Sequence, residues 1–144
     1  MRITSDDLIL VTGATGLVGS HVVEQAVLRG CRVRALVRPT ADVRFLRGLN
    51  IELMHGDLNQ ADSLKTACEG ASIVIHCAAK VGDWGPTDEY RRINVKGTQA
   101  LMDAALATGS LTRWIQISSL GVYEGKDHYG TDEATAPSTT GIDG

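Results

Sequence analysis

A short apolar run, Leu8-Ile9-Leu10-Val11, delivers the chain to Thr12-Gly13-Ala14-Thr15-Gly16-Leu17-Val18-Gly19, and a helix-patterned segment follows at once. Few folds need those three things in that order. A buried strand ends at a tight turn, glycines let the backbone pass close to an anion, and the next helix points its first N–H groups at it. Glycines alone would be weak evidence, but a strand before and a helix after make the pattern specific for a dinucleotide site. The other reading of the same residues is a glycine-rich connecting loop. The spacing is G-x-x-G-x-x-G rather than G-x-G-x-x-G, which implies a longer phosphate loop. Gly13 would supply a conformation that a Cβ disfavours, Gly16 a close approach to the ligand, and Gly19 tight seating of the helix on the sheet.

Beyond that turn, apolar runs alternate with helical patterns, the signature of βαβ units and a parallel sheet. Strands are expected at 8–12, 32–37, 51–55, 72–77 and 113–118, helices at 17–29, 60–69 and 88–107, and a helical turn near 42–48. Val18, Val22, Ala26 and Val23, Val27 form a stripe on the first helix, and Gly30 closes it. The run Ser72-Ile73-Val74-Ile75-His76-Cys77 is almost wholly apolar, as a central strand covered on both faces requires. Right-handed crossovers then favour a doubly wound α/β sheet of order 3-2-1-4-5, with a ligand crevice between strands 1 and 4. At 144 residues the chain reads as one domain. Residues 1–124 would form it, and the polar 125–144 would be loop or disorder.

Composition narrows the class further. Hydrophobic content of 43% and charged content of 22% are ordinary for a globular protein. A net charge of −3 argues against nucleic acid as a partner. Apolar runs are too short to span a bilayer, so no membrane partner is expected. Cys31, Cys68 and Cys77 fit neither a metal spacing nor a disulfide framework. No metal site is expected, and the default location is the cytoplasm.

The cofactor's identity turns on the end of strand 2. NAD-binding sheets place Asp or Glu there, about 20 residues past the glycine turn. Here the position holds Val37-Arg38-Pro39-Thr40, with no carboxylate. Arg38 offers a planar cation suited to a 2′-phosphate, so NADP is favoured and NAD is the alternative. Such a charge-assisted contact contributes roughly 1.5–3 kcal/mol. Arg32, Arg34, Arg44 and Arg47 make the neighbourhood basic, which also fits a solvated edge, and Asp42 is a competing ribose ligand. Past strand 3, Asp57 could accept from an adenine amine or cap the next helix, and Leu58 could pack on the ring. Cys77-Ala78-Ala79 ends strand 4 with small side chains that leave room for a cofactor. Asn94 lies on one helix face with Tyr90, Gly97 and Leu101. Its amide would either tie the strand 4 and strand 5 loops together or touch the cofactor.

VTGATGLVGS at 11–20, HGDL at 55–58, HCAA at 76–79, NVKGT at 94–98 and ISSLGVY at 117–123 come in this order. Together they resemble the extended short-chain dehydrogenase/reductases, the NAD-dependent epimerase/dehydratase family. ALVRPTAD at 35–42 and GDWG at 82–85 lean toward its 3β-hydroxysteroid dehydrogenase-like and dihydroflavonol reductase-like branch. The resemblance implies a Rossmann-type fold and a phosphate loop at Gly13, Thr15, Gly16, Leu17, Val18 and Gly19. It puts the cofactor's 2′ end at Arg38 and adenine at Asp57 and Leu58. Cys77, Ala78 and Ala79 fall along the nicotinamide side, with Asn94 behind them and Ser118 beside the cofactor. Ser119, four residues before Tyr123, matches the catalytic hydroxyl aimed at a substrate oxygen; the other reading is a strand-end serine capping its own loop.

The family's proton-transfer pair, Tyr-x-x-x-Lys, is absent from the sequence. Tyr90 is followed four later by Asn94, Tyr123 by Asp127 and Tyr129 by Glu133. By the family's spacing the pair would fall at or just past Gly144, so a truncated chain, inactive alone, is expected. The resemblance implies an oxidoreductase moving hydride between nicotinamide and a small-molecule secondary alcohol or ketone, steroid-like compounds among the candidates, and pairing into a homodimer. A sugar-nucleotide epimerase or dehydratase, or a non-catalytic nucleotide sensor, would carry the same motifs.

Overall fold

The structure is a computed structural model and describes residues 3–82 and 84–138. Five parallel strands form one sheet: β1 (Leu8–Thr12), β2 (Arg32–Val37), β3 (Glu52–His55), β4 (Ile73–His76) and β5 (Arg113–Gln116). Their order is β3-β2-β1-β4-β5. Strand β1 pairs Leu8 with Arg32 on one side and Ile9 with Ile73 on the other. The chain therefore runs outward from the centre in one direction, returns, and continues in the other.

That central position explains why every residue of β1 is buried. Ile9 and Val11 share one face with Val33, Ala35, Val37 and Ile73, and Leu10 faces the opposite side with Leu36 and Val74. A strand with both faces covered must be apolar throughout. Each fully buried Leu or Ile contributes roughly 1.5–3 kcal/mol.

Helices α1 (Leu17–Leu28) and α2 (Arg44–Arg47) lie on the first face, and α3 (Ala61–Cys68) packs with α5 (Thr98–Ala107) on the second. The stripe that α1 buries is Gly19, Val23 and Ala26, flanked by Val22 and Val27. Val18, expected in that stripe, is 48% exposed. It lies on the helix face away from Gly19, Val23 and Ala26, beside Leu17, His21 and Gln25. Gly30 ends the helix at φ +74°, donating its N–H to Val27 O.

The expected helix at 88–107 is not uniform. It starts as α4 (Thr87–Tyr90), widens into a π-helical segment over Arg91–Gly97 and resumes as α5. Gly97 lies where a Cβ would stand 3.0 Å from the Leu58 Cβ, so the β3–α3 loop and this helix touch at a glycine. A buried helical Gly, unfavourable by about 1 kcal/mol against Ala, is thereby explained by packing.

After β5 comes one short 3₁₀ turn, Leu120–Val122, and residues 124–138 hold no helix or strand. Residues 139–144 of the expected polar tail lie outside the described residues. No helix among the described residues is long and apolar enough to cross a membrane.

Candidate functional site: a cleft across the strand ends

A cleft of about 480 Å³ opens at the carboxyl ends of β1 to β4. Its wall brings together Gly13, Thr15, Gly16, Arg38, Asp57, Leu58, Cys77, Ala78 and Ala79 from the expected site. The cleft straddles β1 and β4, where the strand order reverses and a parallel sheet leaves a crevice for ligands.

Glycine geometry builds the turn. Gly13 has φ +66°, and a Cβ there would lie 2.7 Å from Ala78 N. Gly19 is buried, and its Cβ would fall 2.1 Å from Gly13 O. Neither position can carry a side chain without moving backbone. The first helical hydrogen bond of α1 runs from Ser20 N to Gly16 O, 2.9 Å. The amides of Leu17, Val18 and Gly19 therefore precede it and have no helical acceptor. No side chain caps this end, and its first turn holds no acidic residue. An anion is what such an end lacks. The side chains of Leu17 and Val18 face away from the cleft, into a shallow apolar depression with His21, Val22 and Gln25.

The basic neighbourhood of Arg38 resolves into separate roles. Arg34 is turned inward: it donates to Glu52 at 2.7 Å and to the carbonyls of Ala67 and Glu69 at the end of α3. Arg44 is paired with Asp42 at 2.6 Å, and this bond, with the Arg44 N–H, holds the Asp42 carboxyl below the usual range. Asp42 also lies outside the cleft wall, so the structure does not place it for the ribose role considered above. Arg38 lies exposed on the cleft wall and makes no ion pair among the described residues.

Asp57 does not cap α3. Its Oδ1 accepts from Asn59 N (2.8 Å) and Asn59 Nδ2 (2.6 Å), closing a local turn. The cap position falls at Gln60, three residues too far on, and carries no side-chain hydrogen bond. Ser63 Oγ braces the Asp57 main chain instead.

Asn94 ties one loop, not two. Its Oδ1 accepts from Lys80 N at 2.7 Å and its Nδ2 donates to Lys80 O at 2.9 Å. Both ends of the amide are spent on the loop after β4, and none reaches the β5 loop. Lys80 Nζ pairs with Glu89 at 3.2 Å and lies over the Tyr90 ring. The Tyr90 hydroxyl shares its proton between Gly82 O and Trp84 O, so the loop is held from α4.

The structure does not bring Ser118 or Ser119 to this cleft: both are exposed and outside its wall. Ser119 Oγ accepts from Gly121 N at 3.2 Å, the local cap that a strand-end serine makes.

Several features were missed in the sequence. Thr12, Asn59, Glu89 and Ile93 line the cleft, and His76 beside it is 1% exposed. The signal for His76 was available: a polar ring in an apolar strand run has to be hydrogen-bonded. Burial pushes its pKa down to about 4. Burial also raises the Cys77 thiol on the cleft wall, which leaves it a neutral lining group.

A five-stranded parallel sheet of this order, with a glycine turn and a bare helix end at its switch point, defines a Rossmann-type dinucleotide-binding domain. Residues 9–141 match the model of the NAD dependent epimerase/dehydratase family, and the chain belongs to that family. The chain is 41% identical over 113 residues to sterol demethylase protein B of Methylococcus capsulatus, covering 78% of this chain and 34% of that protein. It is 33% identical over 138 residues to a 3 beta-hydroxysteroid dehydrogenase/Delta 5-->4-isomerase of Mycobacterium tuberculosis, covering 91% and 36%. Among solved structures, a short-chain dehydrogenase/reductase superfamily protein from Agrobacterium tumefaciens with bound NAD matches with TM-score 0.68 and 36% identity. That match covers 81% of this chain and 34% of the other. The chain thus spans about a third of the length of the curated relatives it matches.

Proposed function

We propose that this chain supplies the cofactor-binding part of an oxidoreductase that moves hydride between NADP and a secondary alcohol or ketone with a large apolar body. The observation that carries the reading is the cleft itself: an uncapped helix end at one point of its wall and, at another, Arg38 with no ion pair among the described residues. Leu17, Val18 and Gly19 would give main-chain N–H bonds to the diphosphate. Arg38 would take the 2′-phosphate, and the Asp57 carboxylate would accept from the adenine amine, with Leu58 beside the ring. The small side chains of Ala78 and Ala79 would leave room over the end of β4 for the nicotinamide half. When bound, the cofactor supplies the hydride acceptor or donor.

Support for an apolar substrate comes from the loop after β4, where Val81 is 83% and Trp84 92% exposed. The relatives named for sterol and steroid chemistry agree with it.

The experiment is a pair of dissociation constants, for NADP and for NAD, in the wild type and in Arg38→Ala. NADP should bind about ten- to a hundredfold more tightly to the wild type, and the variant should lose most of that ratio. An unchanged ratio overturns the role of Arg38.

A further inference from the structure

His76 lies one residue before the cleft-lining segment 77–81, and both of its ring nitrogens are occupied. The direction of each bond can be worked out. Thr98 Oγ1 donates its only proton to Asn94 O at 2.8 Å. Toward His76 Nε2, 2.9 Å away, it can therefore only accept, so Nε2 carries the proton. Nδ1 is then bare and accepts from Thr12 Oγ1 at 2.5 Å. Thr12 Oγ1 in turn accepts from Ala78 N at 3.3 Å. One continuous sense of donation runs from Ala78 through Thr12, His76 and Thr98 to Asn94.

The path then closes on itself, because the Asn94 side chain grips both main-chain groups of Lys80. Residues 78–80 are thus held at one end by β1 and at the other by the π-helical segment, and His76 joins those two anchors. Thr12, Trp114 from β5 and Thr98 pack against the ring, and none of them is charged. Such a closed network, fully satisfied, fixes geometry rather than merely filling space.

We propose that His76 is a positioning residue whose Nε2-protonated ring holds the floor at Ala78–Lys80 in register with the turn after β1, so that the nicotinamide half of a dinucleotide meets a rigid surface. The inference rests on the cofactor reading above and adds how that half of the site is kept in place. A ring that merely fills the core would make no distinction between the two ends of the cofactor.

Thr98→Val removes the acceptor of the Nε2 proton with little change of shape, and Thr98→Ser restores it. NADP and 2′,5′-ADP, which lacks the nicotinamide half, are the probes. Thr98→Val should weaken NADP about three- to tenfold, the scale of one lost hydrogen bond. Binding of 2′,5′-ADP should stay within about twofold, well under one such bond. Thr98→Ser should recover NADP binding. In parallel, nitrogen NMR of the wild-type imidazole should show a protonated Nε2 and a bare Nδ1. If the wild type binds neither probe, the cofactor reading fails and this inference with it. If it binds both, and Thr98→Val changes neither or weakens both alike, this inference alone is overturned. The opposite tautomer in the spectrum overturns it too.

Discussion

The two ends of the cleft region are built differently. At the β1–β4 end, Thr12, His76, Thr98, Asn94 and Lys80 interlock, and the backbone at Gly13 and Gly19 approaches its neighbours more closely than any Cβ would permit. At the β5 end, Ser118 and Ser119 are exposed, and the Ser119 side chain bonds, among the described residues, within its own turn. The first end needs nothing further to be rigid. The second has a polar group with an oxygen committed locally and no long-range contact to aim it. Strand ends that interlock through a satisfied polar network are fixed from within, whereas the placement of an exposed hydroxyl depends on what packs around it.

This contrast predicts unequal sensitivity to substitution. The largest effect should come from Gly19→Ala, since the added methyl would fall 2.1 Å from Gly13 O. A loss of at least about 3 kcal/mol in urea unfolding is expected, with nucleotide binding lost as well. Gly125→Ala, where a Cβ meets open space, should change stability by no more than about 0.5 kcal/mol. Equal effects at the two positions would erase the distinction.

Acid should act next most strongly, and at the interlocked end. His76 has a folded pKa of about 4 against an ordinary 6.5, so the unfolded chain takes up the proton first. The stability that this residue contributes is therefore complete above pH 6.5, declines as pH falls toward 4 and levels off below that. The decline should be at most about 3 kcal/mol, measured by denaturation across that range. In His76→Phe, which cannot take up a proton, this slope should vanish, although the variant is less stable throughout.

Ser119→Ala should do least. The hydroxyl is exposed and among the described residues bonds Gly121 N alone, so a change under about 0.5 kcal/mol is expected in thermal unfolding. A loss near that of Gly19→Ala would mean that the β5 end is as tightly built as the other.

The same contrast explains what the sequence disclosed. Strand order and cleft position were legible because an alternation of apolar runs with helical stripes, closed by right-handed crossovers, leaves few arrangements. The glycine turn was legible because part of its constraint is local: Gly13 takes φ +66°, and Gly19 meets Gly13 O within the same turn. Contacts spanning long separations were not. Thr12 and His76 are 64 positions apart, and no window of sequence links them. The pairing of Asp42 with Arg44 was hidden for the opposite reason: both are charged and near each other, so a ligand role and a local ion pair look alike until the side chains are placed. Asn94 was rightly singled out as a polar group that must be satisfied, but its partner, Lys80 rather than a β5 residue, depended on how the π-helical segment turns it.

Amide NMR during titration with NADP tests the central claim most directly, because it reads weak binding residue by residue. Main-chain N–H groups of Gly16, Leu17, Val18 and Gly19 should shift most and saturate together, with Arg38 following. Saturating nucleotide that leaves those four amides unmoved would contradict the assignment of this turn as a diphosphate cradle.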